Sequence, residues 1–265
     1  MTEFISSPQN PKIKLLLALQ QKSSVRKENN LFVVEGKREI EHCLEGGFEI
    51  DSCFYCPAIL GLGEASDILQ KLAGKAKCFE VSREVYNKIA YRESTEGIMA
   101  EVRRRERGLE ELALKENPLI IVLESVEKPG NIGAVLRSAD AAGADALIVC
   151  EPRTDLFNPN LIRASLGAVF TVPCVCCSSE ECISFLKANG IQILTAQLQD
   201  SELYYNTDMT GATAIVMGTE STGLKDEFRK AADKHIRIPM LGRLDSLNVS
   251  VSAAILLFEA LRQRL

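Results

Sequence analysis

At 265 residues the chain is long for one compact domain and suits two. Its 46% hydrophobic and 25% charged residues are ordinary for a globular protein. No apolar run approaches the ~18 residues of a membrane span, and the start MTEFISSPQNPKIK lacks the apolar stretch of a secretory signal; membrane partners are excluded and a cytoplasmic location is expected. The net charge of −5 speaks against a bulk electrostatic nucleic-acid binder. A local patch is still allowed, because residues 1–107 carry net +1 and the remainder net −6.

In chain order, residues 8–20 (PQNPKIKLLLALQ) begin with turn chemistry and continue as an apolar-periodic helix. A short strand follows at 31–34, then a turn at Glu35-Gly36 and a helix from Lys37 to Glu45 closed by Gly46-Gly47. Residues 48–56 alternate as a strand, 64–73 read as a helix, and 78–81 as a strand. Ser82 caps a short helix and 97–102 is a further strand. The spacing predicts a small α/β domain over 1–105, and the charged run Arg103-Arg104-Arg105-Glu106-Arg107 opens a linker over 106–117. From 118 the texture changes. Leu119-Ile120-Ile121-Val122-Leu123 is continuously apolar, as in a strand covered on both faces. Helices at 131–142, 159–168, 179–189, 223–231 and 247–264 alternate with strands at 145–150, 169–172, 191–195, 213–217 and 235–238. Such alternation predicts a doubly wound parallel α/β sheet over 118–265.

Nine cysteines without a secretory signal point to reduced thiols. The pairs Cys53/Cys56 and Cys174/Cys177 have the C-x-x-C spacing of zinc ligands. Both sit in apolar, strand-like surroundings without the glycines and polar residues of a zinc knuckle, so buried thiols and no metal are expected. The two histidines, His42 and His235, offer no triad.

Ligands of open parallel sheets bind at the C-terminal strand ends. Three such ends carry glycine and polar side chains: Pro129-Gly130-Asn131 leading to Arg137, Gly218-Thr219-Glu220-Ser221-Thr222-Gly223, and Ile238-Pro239-Met240 leading to Ser246-Leu247-Asn248. The first has the wrong glycine spacing for a dinucleotide fold, and no phosphate-binding Gly-Lys-Ser/Thr is present. The residues by themselves therefore reach a ligand pocket built from three loops.

Together the segments Pro129-Gly130-Asn131-Ile132-Gly133-Ala134…Arg137-Ser138-Ala139, Ile215-Val216-Met217-Gly218-Thr219-Glu220-Ser221-Thr222-Gly223-Leu224 and Ile238-Pro239-Met240…Ser246-Leu247-Asn248-Val249-Ser250-Val251-Ser252-Ala253-Ala254 resemble the three signature motifs of the SpoU (TrmH) family of RNA ribose 2′-O-methyltransferases in the SPOUT superfamily. Residues 158–168 are also similar to that family. The first hundred residues resemble, more loosely, its RNA-binding extension, a ribosomal-protein L30e/L7Ae-like α/β fold, with Phe32-Val33-Val34-Glu35-Gly36 as the best-matching piece.

The resemblance implies a deep trefoil knot, an exception to unknotted chain topology. It also implies S-adenosylmethionine as cofactor and a homodimer formed through the knotted domain. Gly218, Ile238 and Leu247 are the implied cofactor contacts, with Met240, Thr195 and Ala196 nearby. Asn131, Arg137, Glu220, Ser246 and Asn248 are the implied catalytic set. Arg137 matches the family arginine for which a base role is proposed; a guanidinium pKa above ~12 favours instead a grip on the RNA phosphate and the incipient alkoxide. Asn131 would orient the ribose or Arg137, and Glu220 would fix either. Lys12, Lys14, Arg26, Lys37 and Arg163 are the candidate RNA contacts. Ribosomal RNA is the expected substrate; transfer RNA, or a non-catalytic RNA binder on the same fold, are the alternatives.

Overall fold

A computed structural model describes residues 3–91, 96–219 and 222–265. The chain divides into two compact units, one running to Arg105 and including Phe157–Ile162, the other comprising Glu106–Leu156 and Arg163–Leu265. Among the described residues no helix is long and apolar enough to cross a membrane.

The first unit opens with β1 (Glu3–Ile5), which was not expected, and α1 (Pro11–Gln21). Asn10 caps α1 by accepting from the Lys12 N–H at 2.9 Å, and Pro11 occupies the first helical position, where no N–H is needed. Ile13, Leu16 and Leu19 recur at helical spacing and are fully buried. Next come α2 (Ser23–Asn29), β2 (Leu31–Glu35), α3 (Lys37–Glu45), β3 (Ile50–Tyr55), α4 (Pro57–Leu60), α5 (Leu62–Leu72), β4 (Lys77–Val81), α6 (Arg83–Ile89) and β5 (Ile98–Arg103). The sheet order is β1-β4-β3-β5-β2; β3 and β2 flank β5 antiparallel, while β1, β4 and β3 run parallel. Within this unit Phe157 stacks on Phe32 with centroids 4.3 Å apart and meets Phe48 edge-on, and Arg104 lies over its ring. A boundary drawn at 105 alone misses these six residues, because their partners lie tens of residues or more upstream, more than a hundred for the pairing of Phe157 with Phe32 and Phe48.

The second unit contains β6 (Leu119–Glu124), α7 (Pro129–Ala141), β7 (Ala146–Cys150), the end of α8 (Pro159–Ser165), α9 (Ala168–Thr171), β8 (Cys174–Cys177), α10 (Ser179–Ala188), β9 (Gln192–Ala196), β10 (Glu202–Leu203), β11 (Thr213–Met217), α11 (Asp226–Ala231), β12 (Lys234–Arg237) and α12 (Val249–Arg264). Its sheet, ordered β10-β12-β9-β11-β6-β7-β8, is parallel throughout. Every residue of β6, β7 and β11 is buried, as strands covered on both faces require. The strand expected at 169–172 is instead the helical turn α9, bracketed by Gly167 at φ +89° and Pro173, and the edge strand lies further on at 174–177. A four-residue apolar run has no period that separates helix from strand. Residues 106–117 are not an open linker, since Leu109, Leu112 and Leu114 pack against the core of this unit and Arg107 bridges to Val175 beside β8.

Helix α12 packs on α7 and on β6 and β11. Its last turn is pinned. The Arg264 guanidinium donates to the carbonyls of Asn117 at 2.7 Å, Gly211 at 2.6 Å and Met209 at 2.9 Å, and Gln263 exchanges hydrogen bonds with Met209 and Thr207. These donors meet loop carbonyls outside any strand ladder, and burial pushes the Arg264 pKa down.

In the first unit Glu101 sits mid-strand in β5, 5% exposed; its Oε2 meets Ser52 Oγ at 2.5 Å and its Oε1 has no partner among the described residues. Burial, reinforced by Asp51 and opposed by Ser52, pushes its carboxyl up to about 7. A folded-state pKa above the unfolded value means that the contribution is complete below the unfolded pKa and is lost as pH rises towards 7. The span from 4.5 to about 7 corresponds to about 3 kcal/mol. Glu101→Gln is expected to flatten this dependence and raise the urea midpoint of the first unit at pH 8 while changing it little at pH 4.5, read by circular dichroism at both pH values.

Candidate active site at the strand ends of the second unit

The C-terminal ends of β6, β7, β9, β11 and β12 lie at one end of the sheet, because all run parallel. Two strand exits are sharply turned, with Ser125 after β6 at φ +55° and Glu151 after β7 at φ +50°. Glu124, the last residue of β6, is fully buried. It accepts from Ser179 Oγ at 2.9 Å and from the Lys225 N–H at 2.8 Å, tying α10 and the start of α11 to the central strand. A carboxylate closing an otherwise apolar strand run was the sequence signal for it.

Asn131 is the third residue of α7, and Asn248 is the N-cap of α12. The two meet, with Asn248 Nδ2 donating to Asn131 Oδ1 at 3.2 Å. Asn248 Oδ1 accepts from the Ser250 N–H at 3.0 Å and from Ser250 Oγ at 2.6 Å, so one side chain caps its helix and joins it to the other. The packing of α12 on α7 brings these two helix starts together from positions 117 residues apart. Helix starts present unpaired N–H groups and positive partial charge.

After β11, Thr219 pairs back onto Gly223. Thr219 and Gly223 exchange both backbone hydrogen bonds, at 3.2 and 3.0 Å, and the Thr219 hydroxyl accepts from the Thr222 N–H. Gly218 is required here, since a Cβ would overlap the backbone of Gly223 and Leu224, and Gly223 holds φ +68°. Glu220 lies outside the described residues. Ile238 and Met240 are half-buried, and the loop from Leu241 to Asn248 is exposed, with Leu247 37% accessible.

Other expected site residues fall differently. Arg137 is exposed and pairs with none of the described residues; six positions along α7 place it about 9 Å beyond Asn131 and roughly 240° around the helix. Ser246 is exposed, with only a 3.4 Å bond to Asp245. Thr195 is wholly buried and its hydroxyl is committed to His235 Nδ1 at 2.6 Å, so it offers no side-chain contact to a ligand. Ala196 is half-buried at the end of β9, and Gln197 Oε1 is buried without a partner among the described residues. Such an orphaned acceptor is costly unless a donor meets it, and no motif pointed to it.

In the first unit Lys14 is exposed. Lys12 is bound to Glu3 at 2.8 Å and lies over the Phe79 ring, and Lys37 is half-buried with Glu64 at 3.9 Å. Arg26 is corrected outright as a surface contact. It is 2% exposed and spends its guanidinium on the carbonyls of Leu19 and Gln20, which the end of α1 leaves without helical partners. Arg163 is exposed.

Residues 118–258 match the SpoU rRNA methylase family, and residues 10–100 match the MRM3-like substrate binding domain. The two matches together define the class, an RNA methyltransferase carrying its own substrate-binding unit. The chain belongs to the SpoU rRNA methylase family, and it is an S-adenosylmethionine-dependent enzyme. It is 38% identical over 192 residues to the 23S rRNA (guanosine-2′-O-)-methyltransferase RlmB of Haemophilus influenzae, covering 70% of this chain and 78% of that one. It is 28% identical over 254 residues to the 23S rRNA (guanosine(2553)-2′-O)-methyltransferase RlmP of Bacillus subtilis, covering 96% and 97%. The crystal structure of an S-adenosylmethionine-bound rRNA methyltransferase from Sinorhizobium meliloti superposes with a TM-score of 0.92 at 30% identity, over 100% of this chain and 99% of that one.

Gly218→Ala is expected to push the Gly223-Leu224 backbone away, cost about 2–4 kcal/mol of stability and weaken S-adenosylmethionine binding at least about 10-fold; calorimetric titration alongside a thermal melt measures both.

Proposed function

We propose that the chain transfers a methyl group from S-adenosylmethionine to a ribose 2′-hydroxyl of ribosomal RNA, at the strand ends where Asn131 meets Asn248. That contact is the observation that carries the reading, because it builds one polar site from two motifs far apart in sequence. Transfer RNA is the less favoured substrate, since the relatives matched over most of their length are named for 23S rRNA.

The residues present fit the cofactor. The orphaned Gln197 Oε1 is an acceptor for an N–H or O–H group. The loops at Gly218 and at Ile238, Met240 and Leu247 offer backbone groups and apolar side chains for an adenosine. When bound, the sulfonium supplies an activated methyl group. The chain's own residues then have two tasks, to place the hydroxyl in line with that group and to assist loss of its proton. Asn131, held by Asn248, orients the ribose. Arg137 holds the RNA phosphate and stabilises the incipient alkoxide electrostatically rather than as a base, given a guanidinium pKa above ~12. In this reading Glu220 serves to fix Asn131 or Arg137 by charge-assisted hydrogen bonds, and Ser246 completes the pocket with Asn248.

The finer fold reading is a trefoil knot over the second unit and an L30e/L7Ae-like fold for the first. Supporting the knot, the chain leaves β12 near the sheet edge and returns to lay α12 on α7, beyond β9 and β11. In the first unit Lys12, Lys14 and Lys37 are the RNA-contact candidates, and in the second Arg163. A homodimer through the second unit is supported by an apolar stripe on α12, where Val251 and Phe258 are 48% and 47% exposed with Ile255 between them at helical spacing. A cytoplasmic location follows from the substrate.

Mapping ribose methylation in ribosomal RNA with and without the gene tests the reading; an unchanged map would overturn it. Arg137→Ala is expected to lower methyl transfer at least about 100-fold while S-adenosylmethionine affinity stays within about twofold, read by radiolabel transfer and calorimetry. Val251→Asp with Phe258→Asp is expected to yield a monomer by light scattering.

A further inference from the structure

Cys53 stands opposite Cys78 across β3 and β4 rather than facing Cys56, and Cys53/Cys56 and Cys174/Cys177 belong to different units. Three cysteines that no motif grouped do converge. The sulfurs of Cys150, Cys177 and Cys182 all lie within 4.8 Å of one another, the one such cluster of potential metal ligands among the described residues. They come from three elements. Cys150 ends β7, Cys177 ends β8 in direct register with it, and Cys182 is the fourth residue of α10. Cys150 and Cys182 are fully buried, and Cys177 is half-buried on the edge strand, which leaves the cluster one open side.

We propose that Cys150, Cys177 and Cys182 form a three-thiolate site for a soft d10 cation, Zn(II) or Cu(I), which fastens the edge strand β8 and the start of α10 to β7. A metal–sulfur distance of about 2.3 Å sets sulfurs roughly 3.8–4.0 Å apart in tetrahedral or trigonal geometry, so the cluster needs only a small contraction. Thiolate donors select soft cations over Mg(II) or Ca(II). Cu(I) is complete with three sulfurs, and Zn(II) takes a water on the open side at Cys177.

The surroundings already fix the donors. Ser178 caps α10 through a reciprocal pair of hydrogen bonds with Glu181, Ser179 Oγ is bound to Glu124, and the Ser179 N–H is bound to Glu151. The nearby carboxylates therefore hold the start of α10 in place and leave the sulfurs as the ligands. Binding deprotonates the three thiols and releases their protons to solvent. A second and third buried thiolate without a cation would be strongly disfavoured.

The full-length protein, reduced and stripped with a chelator, is titrated with Cd(II) as a spectroscopic probe through its ultraviolet thiolate charge-transfer band. Zn(II) and Cu(I) are titrated separately against a chromophoric competitor for each. The expected result is saturation at one equivalent, a raised melting temperature, and tight binding of Zn(II), of Cu(I), or of both, which also decides the ion. Cys177→Ser is expected to weaken binding at least about 10-fold, and Cys176→Ser to leave it unchanged. Serine at 150 or 182 lies in the core and can unfold the unit, so the half-exposed Cys177 carries the decision. Absence of saturable binding, unchanged affinity in Cys177→Ser, or conversion of two of these thiols to a disulfide in a protein that binds none of the three ions would overturn the proposal.

Discussion

The second unit depends on α12 lying against α7. At its start Asn248 caps α12 and reaches Asn131; at its end Arg264 and Gln263 hold the backbone of the loops before β6 and β11. The contact of Asn131 with Asn248, on which the proposed site is built, sits where the two helices start. The lower end serves that geometry from about 24 Å away, the length of a sixteen-residue helix. A helix held by hydrogen bonds at both termini cannot slide, and a shift of one residue would carry Asn248 about 1.5 Å along the axis. That is enough to break a 3.2 Å contact.

Polar groups in this unit do structural and chemical work in different places. Glu124, Thr195 and His235 are consumed in fastening elements to one another. Asn131 and Arg137 keep exposed or half-exposed positions at the helix face. Gln197 is a third kind, a buried acceptor with no partner among the described residues.

The first unit shows how local chemistry outranks composition. Its cations were candidates for a patch facing a polyanion, although residues 1–107 carry a net charge of only +1. Arg26, however, closes the end of α1, and Lys12 and Lys37 already have acidic neighbours. The buried, half-satisfied Glu101 in the middle of β5 makes the unit's stability pH-sensitive in a range where surface carboxylates are silent.

Much of the architecture was legible from sequence. Alternating periods announced a parallel α/β sheet after 118. The wording of three loops carried the family, because Gly218, Asn131 and Asn248 sit where backbone geometry and capping allow few substitutes. Periodicity failed at 169–172, where an apolar run too short to show a period became a helical turn between Gly167 and Pro173. It also failed where partners are distant. Phe157 joins the aromatic core of the first unit, Arg26 is buried, and Cys150, Cys177 and Cys182 meet across two strands and a helix. Sequence by itself determined which residues are chemically able to act, because residue type and local spacing are written along the chain. Tertiary structure alone decided which of them stand within a few ångströms of one another, because sheet register and helix packing set those distances across a hundred residues or more.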